Sequence, residues 1–129
     1  MSRLRLALLA LAVAALVACG GSGSSSGGSS SQPAGSNKLV LVDFKFQPKT
    51  ISGVSAGKVV FFLVNDSSST AHDMVIADSS GTTVARSTLV QPGNTETFTV
   101  PDLKAGSYVF YCDLPGHRAQ GMEGTLTVS

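Results

Sequence analysis

Tryptophan is absent from the 129-residue sequence, histidine and cysteine occur twice each, and charged residues make up 13% of it. Charge this scarce, balanced at 9 basic against 8 acidic residues, excludes both the basic footprint of a nucleic-acid binder and a polyacidic tail. Two cysteines permit one disulfide at most, which excludes a cysteine-stapled mini-protein. The length leaves room for a single domain. Neither an amphipathic helical pattern nor an internal repeat stands out along the chain.

Long apolar runs are also missing, apart from one at the start. Arg3 and Arg5 precede thirteen apolar residues, Leu6 to Ala18, and the composition then turns abruptly to Gly and Ser at Cys19. As a helix this run spans about 20 Å, short of the roughly 30 Å needed to cross the hydrocarbon core, so residues 1–18 read as an export signal. Residues 20–37, GGSGSSSGGSSSQPAGSN, bury too little apolar surface to order themselves and read as a flexible tether. The end of the run, Leu16-Val17-Ala18-Cys19, resembles the lipobox of bacterial lipoproteins. That resemblance implies cleavage before Cys19, a lipidated Cys19 at the mature N-terminus, and an extracytoplasmic protein held on a membrane. Gly20 stands where an inner-membrane retention Asp occurs in many lipoproteins, which favours the outer membrane in a two-membrane cell. Ordinary cleavage to a soluble secreted form is the competing reading.

Residues 38–129 are long enough to fold without staples. Their segments KLVLVDF, KVVFFLVN, HDMVIAD, TTVAR, TETFTV, GSYVFYC and GTLTV are rich in Val, Thr, Phe and Tyr and are separated by Gly, Pro, Asn and Ser, which predicts short β-strands. Seven or eight such strands predict an all-β, Greek-key sandwich. Alternation places Met122, Gly124, Leu126 and Val128 on the inner face and Glu123, Thr125 and Thr127 outside. Phe98 and Val100 likewise oppose Thr97 and Thr99, while Tyr108, Phe110 and Cys112 share a face. The unbroken run Val59 to Val64 predicts a central strand covered on both sides.

Between the last two strands lies Tyr111-Cys112-Asp113-Leu114-Pro115-Gly116-His117-Arg118-Ala119-Gln120-Gly121-Met122, with the spacing C-x4-H-x4-M. The only other histidine is His72, expected at the start of its own strand beyond the loop from Asn65 to Ala71. One thiolate, two imidazoles and one thioether are the donors of a blue-copper site, in which a His₂Cys plane is joined by a weak axial Met. Soft sulfur donors hold Cu(I) and imidazole also suits Cu(II), so the set serves both valences. The Cys and Met at two strand ends let the loop turn back over the metal at one pole of the sandwich, with Pro115 and Gly116 shaping the turn. Taken singly, each residue has a plainer role: Cys112 as a small buried hydrophobe, Met122 as core. Gln120 is an alternative axial donor through its amide oxygen.

At these residues the sequence resembles the cupredoxins, the small blue-copper proteins of the plastocyanin and azurin type. The likeness runs through Phe44-x-Phe46-x-Pro48, Ala56-Gly57, the loop from Asn65 to His72, Pro92-Gly93, Gly106-x-Tyr108-x-Phe110-Tyr111-Cys112 and Gly124-Thr125-Leu126. It implies His72, Cys112 and His117 as strong copper ligands and Met122 as the axial one. Two positions depart from the family pattern. Asp73 and Asp113 stand where many members carry Asn after the first His and Ser or Thr after the Cys, partners that lock the ligand loops together.

A copper ion closed by four protein ligands offers no position for substrate, which argues against an enzyme. The chain has one loop cysteine and no spare histidine, which removes a binuclear centre and the additional copper sites of multicopper enzymes. The expected function is one-electron transfer by a monomer. Its partners are transient redox proteins such as a cytochrome, an oxidase or a reductase, met through the His117 edge beside Leu114, Pro115 and Ala119. Copper storage or delivery and a metal-free adhesion sandwich are the alternatives.

Overall fold

Alternation in the last strand carries over directly into burial: Gly124, Leu126 and Val128 are buried, whereas Thr125 and Thr127 are exposed. The computed structural model describes residues 30–129. The export signal, Cys19 and the first part of the tether lie outside the described residues.

Among the described residues nine strands form where β-branched and aromatic residues cluster between turn residues. They are β1 (Asn37–Val42), β2 (Lys45–Gln47), β3 (Thr50–Val54), β4 (Gly57–Asn65), β5 (Val75–Ala77), β6 (Thr83–Arg86), β7 (Thr95–Leu103), β8 (Gly106–Tyr111) and β9 (Glu123–Val128). One sheet has the order β2-β1-β4-β7 and the other β3-β9-β8-β5-β6. The chain changes sheet repeatedly, so both sheets are completed only by segments distant in sequence. Each contains one parallel pair, β1 with β4 and β3 with β9, among antiparallel neighbours. The expected all-β sandwich is therefore present, with nine strands instead of seven or eight. The additional strands are β2 and β3, too short and too polar at Lys45, Gln47, Thr50 and Ser52 for their composition to announce them.

Inward residues of both sheets fuse into one core that includes Leu39, Leu41, Phe61, Leu63, Met74, Ile76, Phe110 and Leu126. Complete burial of such side chains is worth about 1.5–3 kcal/mol each, which is what holds the sheets face to face. Phe46 meets the edge of Phe110 with ring centroids 5.1 Å apart. The expectation for Val59 to Val64 needs correction. Val59, Phe61 and Leu63 are buried on the inner face, but on the other face only Phe62 is buried and Val60 and Val64 are half-buried. The strand is central in its sheet, and its outer face is incompletely covered.

The predicted HDMVIAD strand is likewise shorter than expected. Only Val75–Ala77 is regular strand, while His72 forms an isolated bridge to Val90, with His72 N–H donating to Val90 O at 3.1 Å and Val90 N–H donating to His72 O at 2.8 Å. Among the described residues no helix is long and apolar enough to cross a membrane.

Gly124 pairs with Phe110 across β9 and β8. A Cβ at this position would strike the Phe110 ring and the Lys49 carbonyl. Gly124→Ala is therefore expected to lower stability by about 1–3 kcal/mol through overpacking, measured by denaturant unfolding; unchanged stability would show that this packing yields freely.

Candidate metal centre

Four chain segments end at one pole of the sandwich: the end of β4, the bridge at His72, the end of β8 and the start of β9. Cys112 follows β8 immediately and Met122 immediately precedes β9. Their backbones close the intervening loop, Cys112 N–H donating to Met122 O at 3.1 Å and Met122 N–H donating to His117 O at 3.2 Å. Within the loop, Gly116 (φ 83°) and Gly121 (φ 100°) take the left-handed backbone that favours glycine. These reversals flank the 3₁₀ turn Arg118–Gln120 and fold His117 back towards Cys112.

The result is a triangle of donors. His72 Nδ1 lies 3.2 Å from His117 Nδ1, and Cys112 Sγ lies 3.4 Å from His117 Nδ1 and 3.9 Å from His72 Nδ1. All three residues are buried, His117 retaining 9% exposure. Metal–nitrogen bonds of about 2.0–2.1 Å and a metal–sulfur bond of about 2.3 Å, the lengths zinc takes with these donors, reach all three atoms from one central point. His72, Cys112 and His117 thus lie close enough to form a copper site, and their donor types suit copper in both valences. Met122 is fully buried, and its backbone is hydrogen-bonded to those of Cys112 and His117. Gln120, the alternative axial donor, is exposed, and its side-chain Nε2 donates to Gly116 O at 3.4 Å.

A surrounding layer orients the triangle. His72 Nε2 lies 2.8 Å from Ser67 Oγ and 3.7 Å from Asp43 Oδ1. With its proton on Nε2 and donated to Ser67, the ring keeps its Nδ1 lone pair for the centre. Ser67 is held in turn by Asn65, buried to 1% exposure. Asn65 Oδ1 accepts from Ser67 N–H at 2.9 Å, and its Nδ2 donates to Thr70 O at 2.9 Å and Val90 O at 2.8 Å. One side chain therefore pins both ends of the loop that presents His72. Phe44 packs edge-on against His117, centroids 5.1 Å apart, and holds a positive φ of 61° to do so. Such a backbone costs about 1–3 kcal/mol and persists only where surrounding packing enforces it.

Sequence reasoning named Asn65 only as a loop boundary and did not single out Ser67 or Arg86. Asn65 carries a signal in retrospect, a polar residue closing an apolar strand. Arg86 carries none, because its partners Asp73 and Asp113 meet it only in the folded chain.

The cupredoxin-like domain profile matches residues 7–128, nearly the whole chain. The chain belongs to the cupredoxin family. No curated protein matches the sequence. Among solved structures, the fold is similar to reduced auracyanin from Roseiflexus castenholzii, at 21% identity, TM-score 0.66, 76% of this chain and 99% of that one. It is also similar to auracyanin A from Chloroflexus aurantiacus, described as a "blue" copper protein, at 20% identity, TM-score 0.60, 72% of this chain and 100% of that one. Oxidized plastocyanin from Dryopteris crassirhizoma is 29% identical over 71% of this chain and 99% of its own, with a TM-score of 0.51.

Burial governs the protonation of this cupredoxin's donors. Desolvation first, and then the neighbouring His117, lower the His72 pKa below its ordinary 6.5, so the imidazole stays neutral and able to donate its lone pair. Desolvation raises the Cys112 thiol from 9.0 to about 11, so without metal the sulfur is protonated at neutral pH, and copper must displace that proton.

Linkage gives the sign. Below 6.5 the unfolded chain binds a proton at His72 that the folded chain resists, so stability falls with acidification. Above 9.0 the unfolded thiol ionises while the folded one does not until about 11, so stability falls again across that window. Denaturant midpoints of the metal-free protein are expected to peak between the two limbs. Cys112→Ala should flatten the alkaline limb alone, and an unaltered limb would exclude thiol ionisation as its cause.

Proposed function

We propose that this cupredoxin carries single electrons at a type 1 blue copper site made by His72, Cys112 and His117, with Met122 as the weak axial ligand. The observation that carries this reading is the buried triangle with its Nδ1 and Sγ atoms 3.2–3.9 Å apart. Bound copper supplies a one-electron Cu(II)/Cu(I) couple. The protein supplies rigidity: Asn65 and Ser67 fix the His72 ring, Phe44 backs His117, and the Cys112–Met122 backbone bond closes the loop. Donors fixed in this way keep one arrangement for both valences, which keeps reorganisation small. With Met122 as the fourth donor the set would be closed and would leave no open position of the kind catalytic metal sites keep.

His117 is the ligand nearest solvent, and exposed Pro115 and Ala119 with half-buried Leu114 line the shallow depression beside Cys112. Asp113, Arg118 and Glu123 line the same depression, and this small, partly apolar face supports electron exchange with transient partners, a cytochrome or an oxidase or reductase, through limited buried area. Lipidation at Cys19 would hold the domain on a bacterial membrane, outside the cytoplasm.

Cu(II) added to the purified protein is expected to produce an intense thiolate-to-copper band and a reversible voltammetric wave. Cys112→Ser should abolish the band; a colourless wild type, or an unaltered spectrum in the variant, overturns the assignment. Copper that leaves readily to a mild chelator without a reversible wave would indicate copper delivery instead. Met122→Leu should retain copper and raise the reduction potential, because the axial ligand tunes it. An unchanged potential would place another group in the axial position.

A further inference from the structure

The two positions that depart from the family pattern meet in the fold. Asp73 follows His72 and Asp113 follows Cys112. Asp73, 6% exposed, accepts from Asp113 N–H at its Oδ1 at 2.7 Å. Arg86 closes the arrangement: its Nη1 donates to Asp73 Oδ2 at 3.1 Å and its Nη2 to Asp113 Oδ2 at 2.6 Å.

Strand register explains the meeting. Arg86 pairs with Val75 across β6 and β5, and Val75 pairs with Tyr111 across β5 and β8. Asp73 and Asp113 lie two residues beyond Val75 and Tyr111 towards the metal pole, just outside the regular strands, where the Asp113 N–H bond joins them. Ser87 extends the alignment, its N–H donating to Met74 O at 2.9 Å and its hydroxyl accepting from Met74 N–H at 2.9 Å.

We propose that Arg86 is a positioning residue for the copper centre: its guanidinium fork, spanning Asp73 and Asp113, locks the segment that carries His72 to the strand end that carries Cys112. The proposal rests on reading the triangle as a copper site. A planar fork with donors on separate nitrogens suits two carboxylates at once, which a single ammonium does not. The cation also offsets two carboxylates placed one residue from two ligands. Without Arg86 these negative charges favour Cu(II) over Cu(I), and of the links between Asp73 and the Cys112 segment only the Asp113 N–H bond remains.

The test compares the full-chain protein with Arg86→Gln and Arg86→Lys, using Cu(II) as the probe. Loss of an outer-shell partner typically lowers metal affinity about 10–100-fold, and this loss is expected for Arg86→Gln, with a lowered reduction potential and a shifted or broadened charge-transfer band. Arg86→Lys should stay nearer the wild-type potential while showing the altered band, since charge is kept and the fork is lost. In the metal-free proteins, hydrogen exchange at the Asp113 amide should accelerate in both variants.

Wild-type affinity, potential and band in Arg86→Gln would overturn the proposal. So would an Arg86→Lys protein indistinguishable from wild type in band and amide exchange, and that comparison decides the matter if Arg86→Gln fails to fold. A wild type that binds no copper sinks the functional reading instead, and Asp113 exchange then still reports whether the clamp exists.

Discussion

One thiol and two imidazoles must share a buried space only 3.2–3.9 Å across, and the rest of the structure follows from that requirement. Polar atoms removed from water demand partners, and crowded donors drift apart unless each is held from behind. The sandwich meets the demand by ending several strands at one pole. Backbone there is already fixed by the sheets, and a short loop suffices to present each ligand. Asn65 shows the economy of the solution, since its three side-chain hydrogen bonds fix both the Ser67 turn and the Val90 segment against which His72 bridges.

The electrostatic arrangement follows the same logic. Desolvation lowers the His72 pKa and raises that of Cys112, so neither side chain carries charge at neutral pH before a metal binds. Charged residues sit just outside it, where solvent still reaches: Arg86 and Asp113 are each about half exposed at the side chain. Charge pairs in such positions are modest in energy when isolated. Their value at this pole lies in geometry, because both carboxylates belong to segments that carry ligands.

Much of this was legible in the sequence where the signal is local. The C-x4-H-x4-M spacing spans a single loop, and the period-two pattern of β9 and β7 reports faces directly. Strands β2 and β3 were not legible, because three to five residues of mixed polarity give no period to read. The half-covered outer face of β4 escaped for a different reason: an apolar run does not say which of its sides is covered. Arg86 escaped because the register joining it to Asp73 and Asp113 runs through three strands, and nothing in the chain between residues 73 and 113 marks it. Asp73 and Asp113 were visible as oddities, and only the fold shows what they share.

Strand β9 lies between β3 and β8, with Thr50 beside Thr125 and Phe110 beside Gly124, so its residues form a structural interior, not an edge. Until they dock, β3 has no neighbour in its sheet and the loop bearing His117 has no second anchor. Sulfur and nitrogen donors thus come together only when segments far apart in sequence have assembled, which ties metal affinity to folding.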